Sequence, residues 1–483
     1  MTKKVNIIGA GLAGLSAGIY LQKQGVQTEI FELADWAGGM CTSWVRKGYR
    51  FDGCINWMVG TKSGDPFNDL FIETGALEKD TAIYNADFEK YEIDGKIYTV
   101  PFKIEEFGTF LHSVSAEDTE KIDELCDAIK VYMGSKMPIG APKNPVEIMK
   151  FMKESGGFLK IGRKYLNVTV KEFSGDLKSQ VLRVLMSMMM PADYSMMALI
   201  MMLGTRMNGD AGYPMGGSLE VIRRMTEKYG ALGGKLRLHS KVDEICVENG
   251  RAVGVKSNGE FFPSDYVIAA CDAYDTIQRM LGGKFHHPQL DEMLESYPVF
   301  HPLAVVCFGL KKRFNLPYMQ IFECQDGIPT SPDTAQKYFN LRSFEFDPAA
   351  APEGCSSLMS VLEAPLDYWK NLRDHDKIEY GKQKDLLAEA VAQAIDKRLP
   401  GFKDAIEVTD VSTPATYVRL ANLYKGSFEG FAPTPKALMT RVDKTMPGLK
   451  NFAMCGQWTA AGGGMCSAVM SGRDAVELAG KSL

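Results

Sequence analysis

Apolar runs and helical spacing at the start of the chain predict a strand–helix–strand unit. Val5–Ile8 is a short apolar run of the kind found in buried strands, and Leu15–Gln24 has the spacing of a helix. Gln27–Glu32 then predicts a second strand, which ends in an acidic residue. Strands that alternate with helices in this way are typical of α/β proteins with a parallel sheet.

The region from about residue 67 to residue 207 has mostly helical spacing. Residues 103–134 and 144–166 predict helices, and Phe88–Val100 predicts a hairpin because it alternates around an Asp-Gly turn. Met186–Met207 holds nine of the 27 methionines. Two interpretations of this segment stay open: the methionines fill a core, or they line a cavity for a large apolar ligand.

The rest of the chain mixes short strands with helices. Strands are predicted at Lys235–His239, Lys241–Val247, Arg251–Ser257, Glu260–Phe262, Tyr266–Ala270, Pro302–Leu310, Met319–Cys324 and Ser357–Leu362, and a long amphipathic helix at Ile378–Leu399. The pattern predicts two domains that are woven from separate segments. One comprises residues 1–76, 208–300 and 415–483, and the other comprises residues 77–207 and 301–414.

A glycine motif separates the first predicted strand from the first predicted helix. In Gly9–Gly14, the first glycine permits a tight turn, Gly11 lets the backbone approach a pyrophosphate, and Gly14 lets helix and strand pack closely. Glu32 follows Gly9 by 23 positions, where a carboxylate can accept both hydroxyls of an adenosine ribose. The motif therefore predicts a dinucleotide site, for NAD or FAD rather than NADP.

The residues after Glu32 narrow this choice to FAD. Gly38-Gly39 comes six positions after the acid, and Gly48–Cys54 reads GYRFDGC. The chain here resembles the family of phytoene desaturases, carotenoid isomerases and retinol saturases, which belongs to the glutathione-reductase-like FAD superfamily and is related to amine oxidases. Cys54 departs from the family pattern, which more often has glycine. The resemblance implies a Rossmann-like FAD-binding domain of the glutathione-reductase type with an inserted α+β substrate domain.

The resemblance continues at two later places. Gly212–Gly217 matches a segment that leads the family's chain back toward the flavin, and Val242 matches a position whose main chain contacts the adenine. Near the end, Asn451–Thr459 predicts a strand and glycine turn, and Cys466–Leu478 a helix whose N-terminal amides can stabilise negative charge on reduced flavin. This tail departs from the family by having Gln457 for Asp, Ala461 and Cys466 for two prolines, and Ser467 for Gly.

The candidate site residues are accordingly those of the two glycine motifs and their neighbours. The residues expected to bind FAD, non-covalently, are Gly9, Gly11, Leu12, Ala13, Gly14, Glu32, Gly38, Gly39, Met40, Arg46, Val242, Gly456, Gln457, Gly464, Met465 and Ala468. By family position, Asp52, Arg46, Tyr213 and Arg419 are the polar groups expected nearest the flavin. None of them can be assigned as an acid or base from the sequence, and no catalytic residue is named.

Composition and charge exclude several other classes. A net charge of -5 gives no basic surface for nucleic acid, and no apolar run approaches the roughly 18 residues of a spanning helix. The ten cysteines contain no CxxC pair, and His286-His287 reads as a solvated turn more readily than a metal ligand pair, so no metal is expected. A cytoplasmic protein with reduced thiols is expected, and peripheral contact with a membrane stays open.

Three functions follow from the sequence. The first is an FAD-dependent oxidoreductase that desaturates or saturates a carbon–carbon bond in a long apolar, carotenoid- or isoprenoid-like substrate. The second is a flavin-dependent isomerase or hydratase of polyenes or unsaturated fatty acids, without net redox change. The third is a lipid-binding escort of the Rab GDP-dissociation-inhibitor type, against which the intact glycine motifs argue. An amine oxidase is more distant, and the sequence predicts no oligomeric state.

Overall fold

The computed structural model describes residues 3–135 and 144–483. Its strands are β1 (Lys4–Ile8), β2 (Gln27–Phe31), β3 (Ser43–Arg46), β4 (Tyr49–Asp52), β5 (Met58–Val59), β6 (Ile83–Tyr84), β7 (Phe88–Ile93), β8 (Lys96–Pro101), β9 (Ala211–Pro214), β10 (Lys235–Arg237), β11 (Val242–Glu248), β12 (Arg251–Ser257), β13 (Glu260–Pro263), β14 (Tyr266–Ala269), β15 (Leu303–Leu310), β16 (Met319–Ser331), β17 (Thr334–Ser343), β18 (Ser356–Glu363), β19 (Ile406–Ser412) and β20 (Phe452–Met454).

The helices are α1 (Leu12–Lys23), α2 (Pro66–Thr74), α3 (Ile104–Val114), α4 (Thr119–Met133), α5 (Pro145–Tyr165), α6 (Val170–Gly175), α7 (Gln180–Met189), α8 (Met196–Met207), α9 (Gly217–Ala231), α10 (Ala273–Asp275), α11 (Pro288–Ser296), α12 (Leu366–His375), α13 (Lys377–Asp396), α14 (Phe402–Ala405), α15 (Pro414–Ala421), α16 (Pro435–Met439) and α17 (Met465–Gly480). Short 3₁₀ turns occupy Ala116–Asp118, Tyr424–Gly426 and Gln457–Thr459, and a π turn occupies Thr276–Met280.

A five-stranded parallel sheet joins the beginning, middle and end of the chain. Its strand order is β10-β2-β1-β14-β20. Ile7, on the central strand, pairs with Ile30 on one side and Ile268 on the other, and all three side chains are fully buried. Such continuous burial is typical of a parallel sheet covered on both faces. This confirms the α/β, Rossmann-like class predicted from the sequence.

A second, mostly antiparallel sheet has seven strands in the order β19-β15-β18-β17-β16-β7-β8. The predicted hairpin at Phe88–Val100 forms as β7 and β8 and joins this sheet through parallel pairing of β7 with β16. β16 extends to Ser331, beyond the predicted Cys324, and pairs with β17, which the sequence did not predict. We propose the domain boundaries given above, because each large sheet draws its strands from one of the two sets of segments.

The region predicted as one helix at residues 103–134 is broken, and the methionine-rich segment spans two helices. Residues 103–134 form α3 and α4, separated at Ala116–Asp118 because Ser115 Oγ donates to the Asp118 carboxylate at 2.8 Å. The methionine-rich segment forms α7 and α8, which Pro191 separates, and Ser195 caps α8 by accepting from the Met197 N–H. A local side chain therefore satisfies one of the free main-chain donors at the start of α8.

The methionines of Met186–Met207 belong to the principal hydrophobic core. Four of them (Met186, Met196, Met197 and Met202) are buried, and the other five pack against that core while partly exposed. Their burial agrees with the interpretation that the methionines fill a core. A methionine-lined cavity for substrate stays a prediction.

The described ranges contain neither a membrane-spanning helix nor a metal-binding cluster. No described helix is both long and apolar enough to span a bilayer. Among residues 3–135 and 144–483, no group of three or more His, Cys, Asp or Glu is placed to hold a metal ion. His287 is not a solvated turn residue: it is buried and caps α11, its Nδ1 accepting from the Leu290 N–H at 3.2 Å.

Candidate functional site

The turn between β1 and α1 is tight enough to require two of its glycines. Gly9 has φ +97°, and a Cβ there would lie 2.7 Å from the carbonyl oxygen of Ala270, the residue that follows β14. A Cβ at Gly14 would lie only 2.0 Å from the Gly9 carbonyl oxygen. At both positions the neighbouring backbone leaves no space for a side chain, which agrees with the tight turn and the close packing that the motif predicted.

Gly11 differs from Gly9 and Gly14 because a side chain there would project into open space. A Cβ there would meet only the Gly38 carbonyl oxygen, at 3.7 Å. The second glycine pair lies alongside: the Gly38 N–H donates to the Ala10 carbonyl at 2.8 Å, and a Cβ at Gly39 would lie 3.5 Å from the Gly11 Cα. The two glycine segments, separate in the sequence, thus form one surface of bare backbone.

Glu32 lies at the end of β2 with its carboxylate turned back to the glycine turn. It accepts hydrogen bonds from the Ala10 N–H at 2.7 Å and the Ala34 N–H at 2.9 Å. Burial raises the pKa of the Glu32 carboxyl, and these main-chain donors oppose the shift. Each carboxylate oxygen keeps acceptor capacity for a further donor such as a ribose hydroxyl.

The segment that leads to Val242 runs beside Glu32. The Ser240 N–H donates to the Glu32 carbonyl at 2.7 Å, which brings the start of β11 to the same edge of the sheet. Val242 is buried, and its carbonyl accepts from Arg279 Nη1 at 2.9 Å. Lys241 is exposed. Sequence analysis did not identify Arg279, since it lies on a different element.

The C-terminal glycine motif packs directly on the N-terminal one. A Cβ at Gly456 would lie 3.7 Å from the Ala13 Cβ, and the Gly456 N–H donates to Ser471 Oγ at 2.8 Å. α17 contacts α1 along its length, and Ser16 Oγ donates to the Val469 carbonyl. The structure therefore brings the two predicted motifs into direct contact.

The start of α17 is a second helix N-terminus without a side-chain cap. Gly464 precedes the helix with φ +94°, and a Cβ there would meet only Cys466 Sγ at 3.9 Å. Met465 begins the helix, and the Ala468 N–H donates to the Gly464 carbonyl at 3.1 Å. The main chain of Gln457 packs against Gly430.

A partly buried acid that the sequence analysis did not identify lies against this loop. A Cβ at Gly463 would overlap the Glu429 side chain, within 2.1 Å of its Cγ, so the glycine makes room for the acid. The Gly464 N–H hydrogen-bonds the carboxylate, but burial dominates and raises the pKa of Glu429 to about 7. A hydrogen bond with Cys41 and burial raise the pKa of the Cys54 thiol, burial raises the pKa of the Cys466 thiol to about 11, and the Glu429 carboxylate adds a smaller contribution to both shifts.

Asp52 and Tyr213 meet in a buried polar network. Tyr213 donates through its hydroxyl to Asp52 Oδ2 at 2.8 Å, and the same oxygen accepts from the Ser218 N–H at 2.8 Å. Arg50 lies beside this pair, with its guanidinium 3.4 Å from the Tyr213 hydroxyl and ion-paired to Asp347. The network fixes the N-terminus of α9 to β4 and β9.

Two further predicted residues, Arg46 and Arg419, make their contacts away from the glycine motifs, whereas Met40 directly follows Gly39. Arg46, on β3, pairs with Asp410 of the second sheet at 3.0 Å and is 55% exposed. Met40 is partly buried beside the principal core, and Arg419 is exposed on α15. Their proposed roles at the cofactor stay predictions.

The residues present fit a bound dinucleotide. Gly11 offers a cradle that a Cβ would fill, and α1 begins there without a side-chain cap, so its first-turn amides are left for a phosphate. The helix from Met465 offers the same chemistry at the other end of the site. One end of the site therefore suits a pyrophosphate, and the other suits a ring that carries negative charge.

Comparisons with known proteins agree in pointing to one kind of protein. The family model described as flavin containing amine oxidoreductase matches residues 12–479. The chain is 24% identical to a 1-hydroxycarotenoid 3,4-desaturase of a Flavobacterium species over 99% of each chain. It is 24% identical to the chloroplastic prolycopene isomerase of Daucus carota, over 90% of this chain and 73% of that protein.

Solved structures show the same fold. Cyclohexylamine oxidase from Brevibacterium oxydans matches with a TM-score of 0.62 at 15% identity, covering 100% of this chain and 99% of that one. Reduced UDP-galactopyranose mutase matches with a TM-score of 0.55 at 16% identity, covering 99% and 95%. Since the family match spans nearly the entire chain, this protein belongs to the flavin-containing amine oxidoreductase family, with FAD as its cofactor.

Proposed function

We propose that this protein is an FAD-dependent oxidoreductase that desaturates or saturates a carbon–carbon bond in a long apolar substrate of the carotenoid or isoprenoid type. The observation that carries the proposal is the similarity, over 99% of both chains, to a relative named as a carotenoid desaturase. A second relative at that coverage, from Pseudescherichia vulneris, is named as a lycopene-forming phytoene desaturase at 23% identity. The absence of a CxxC pair from the sequence agrees with chemistry that needs no dithiol.

The residues that would hold FAD follow from the assembled motifs. Amides of the first turn of α1 would bind the pyrophosphate across Gly11, and Glu32 would accept from the adenosine ribose. Amides at the start of α17 would stabilise negative charge near the flavin ring. When bound, FAD supplies the hydride acceptor or donor, and the protein supplies its placement.

A tunnel for the substrate is proposed between the parallel sheet and the methionine-rich helices. α8 packs against α4, α5 and α6, and β9 follows it directly, leading the chain back to the Asp52–Tyr213 network. Flexible, polarisable methionine side chains suit contact with a long unsaturated chain. The support is that α7 packs on β7 of the second sheet while α8 leads into β9, which carries Tyr213.

Peripheral contact with an anionic lipid surface is proposed at the N-terminal half of α5. Val146 and Met149 are 73% and 71% exposed, and Lys150 and Lys153 are exposed beside them. Exposed apolar side chains next to lysines are typical of helices that lie in the interface of an anionic bilayer. A V146S/M149S variant should float less with anionic vesicles than the wild type. Equal flotation of both would contradict the proposal.

Anaerobic mixing with polyenes tests the reaction itself. If the protein is a desaturase, substrate added to the oxidised holoprotein should bleach its visible absorption, because the substrate gives up a hydride from one C–H bond and a proton from the neighbouring carbon as the double bond forms. A saturase should instead reoxidise protein that has been reduced beforehand. Unchanged spectra in both arms, with no product, would contradict the proposal.

An isomerase without net redox change is the second candidate, and the similarity to prolycopene isomerases favours it. Such an enzyme would work only after prior reduction, and its spectrum would stay unchanged over many turnovers. The same two-arm experiment therefore separates the candidates. NADH and NADPH are expected to reduce the flavin slowly, since the sequence has no second GxGxxG unit for a nicotinamide domain.

A further inference from the structure

A cavity with mixed aromatic and polar walls lies where β6 and β9 meet the end of α8. Its walls include Asn56, Trp57, Tyr84, Arg206, Tyr213 and Tyr318. Arg206 is the charged residue near the end of the methionine-rich helix, and Tyr84 pairs with Tyr213 across β6 and β9. The cavity thus joins the apolar helices to the polar network around Asp52.

Two of the tyrosine hydroxyls in this wall are already used. The Tyr213 hydroxyl donates to Asp52, and the Tyr318 hydroxyl donates to the Asn56 carbonyl at 2.5 Å. Across the described parts of the chain, by contrast, no hydrogen bond engages the Trp57 indole N–H, the Asn56 side-chain NH₂ or the Tyr84 hydroxyl. The cavity therefore offers several hydrogen-bond donors to whatever occupies it.

The charge in this wall is compensated. Arg206 Nη2 lies 2.5 Å from Glu89 Oε1, and the two side chains are 8% and 2% exposed. The guanidinium also packs on aromatic faces, with its Cζ 3.8 Å from the Phe102 ring centre and 5.3 Å from that of Trp57. A buried pair of this kind carries no net charge, so a carboxylate ligand would lack a free counter-charge.

We propose that the substrate carries a neutral oxygen group, a hydroxyl or carbonyl, which binds in this cavity by accepting from those donors. The inference rests on the proposed function and specifies its substrate class. These donors are partly exposed, and a pure hydrocarbon that covered them would displace water without replacing its hydrogen bonds, which costs about 1–3 kcal/mol for each polar group so covered. Sites built to hydrogen-bond an oxygen therefore discriminate against the analogue that lacks it.

The test compares two ligands that differ in one oxygen atom. Geranylgeraniol and the hydrocarbon of the same skeleton without the hydroxyl are titrated into the FAD-bound protein, and binding is followed by intrinsic fluorescence. The alcohol should bind at least about 10-fold more tightly than the hydrocarbon. In Tyr84→Phe the affinity for the alcohol should fall about 3- to 10-fold while that for the hydrocarbon is unchanged, the effect of one hydrogen bond.

Tyr98→Phe, on β8 and outside the cavity wall, is the matched control and should alter neither affinity. Equal binding of alcohol and hydrocarbon by the wild type would overturn the inference and leave a cavity that holds only water, while the proposed function stands. If neither isoprenoid bound and a small amine bleached the flavin, the proposed function would fail, and the inference with it.

Discussion

Ser16, on the first long helix, donates a hydrogen bond of 2.7 Å to the main-chain carbonyl of Val469, 453 positions later in the chain. Close by, a Cβ at Gly472 would lie 2.3 Å from the Ala13 carbonyl oxygen, so only glycine allows this approach of α17 to α1. The two cofactor motifs therefore become one site only when both ends of the chain have docked. Removal of α17 should abolish flavin binding even if the first motif folds.

Gly11 and Gly14 should respond differently to the same substitution. Gly11→Val projects into open space, so its apo melting temperature should stay close to that of the wild type while bound FAD is lost. Gly14→Val collides with the Gly9 carbonyl and should lower the melting temperature as well as the flavin content. Flavin content by absorbance and melting by calorimetry check both. Full occupancy in Gly11→Val would refute the pyrophosphate assignment.

Glu32→Gln should weaken FAD binding without unfolding the turn. The amide keeps one acceptor oxygen for the main-chain donors but loses the charge that strengthens hydrogen bonds from ribose hydroxyls. A hydrogen bond to a charged group is worth about 1.5–3 kcal/mol, so the FAD dissociation constant should rise about 10- to 100-fold. Titration of the apo protein with FAD measures it, and Glu260→Gln on an exposed strand serves as control. An unchanged FAD dissociation constant would contradict the assignment of Glu32 to the ribose.

Asp52 is expected to matter more for stability than its partner Tyr213. Its carboxylate accepts from the Cys54, Ile55 and Ser218 N–H groups and from the tyrosine hydroxyl. Asp52→Ala leaves several buried donors unpaired and should cost about 3 kcal/mol or more, whereas Tyr213→Phe removes one bond and should cost about 1 kcal/mol. Urea unfolding compares the two variants. Equal costs would show that the network is not centred on the carboxylate.

The raised pKa of Glu429 predicts a pH dependence of stability. In the folded protein the pKa of the Glu429 carboxyl is about 7, above the usual 4.5. The folded state therefore holds the proton more tightly than the unfolded state does. This contribution is fully present below pH 4.5 and is lost as the pH rises through about 7. Relative to Glu429→Gln, which stays neutral, the wild type should lose about 3 kcal/mol of unfolding free energy over that range. Parallel pH profiles of the two proteins would contradict this.

The parts of the site that the sequence predicted are those that depend on local chemistry. Gly9–Gly14 must turn and pack in one way whatever surrounds it, and the apolar run before it forms β1 as expected. The start of α1 was placed three residues late, because Leu12 and Ala13 follow the glycine turn directly and already lie in the helix. Local propensity sets such elements, while their ends depend on caps.

The parts that the sequence did not predict depend on distant partners. The ion pair of Arg50 with Asp347 joins residues 297 positions apart, and Asp347 lies outside every motif that the sequence reveals, although Arg50 lies within Gly48–Cys54. Glu429 follows a loop without periodicity, and its position against Gly463 arises only when the C-terminal strand is in place. Likewise β17 pairs through a sheet register that its own polar sequence does not reveal. Only the tertiary structure brings these residues together.

The central claim, FAD-dependent chemistry at a carbon–carbon bond, is tested most directly by the mass of the product. The holoprotein is incubated with acyclic carotenoids and with an oxygenated isoprenoid, with an electron acceptor in one arm and a reductant in the other, and the extracted lipid is analysed by mass spectrometry. The account predicts a product that differs from its substrate by two hydrogen atoms, lost with the acceptor or gained with the reductant. Lipids recovered unchanged, together with conversion of a small amine to its aldehyde by the same preparation, would contradict it.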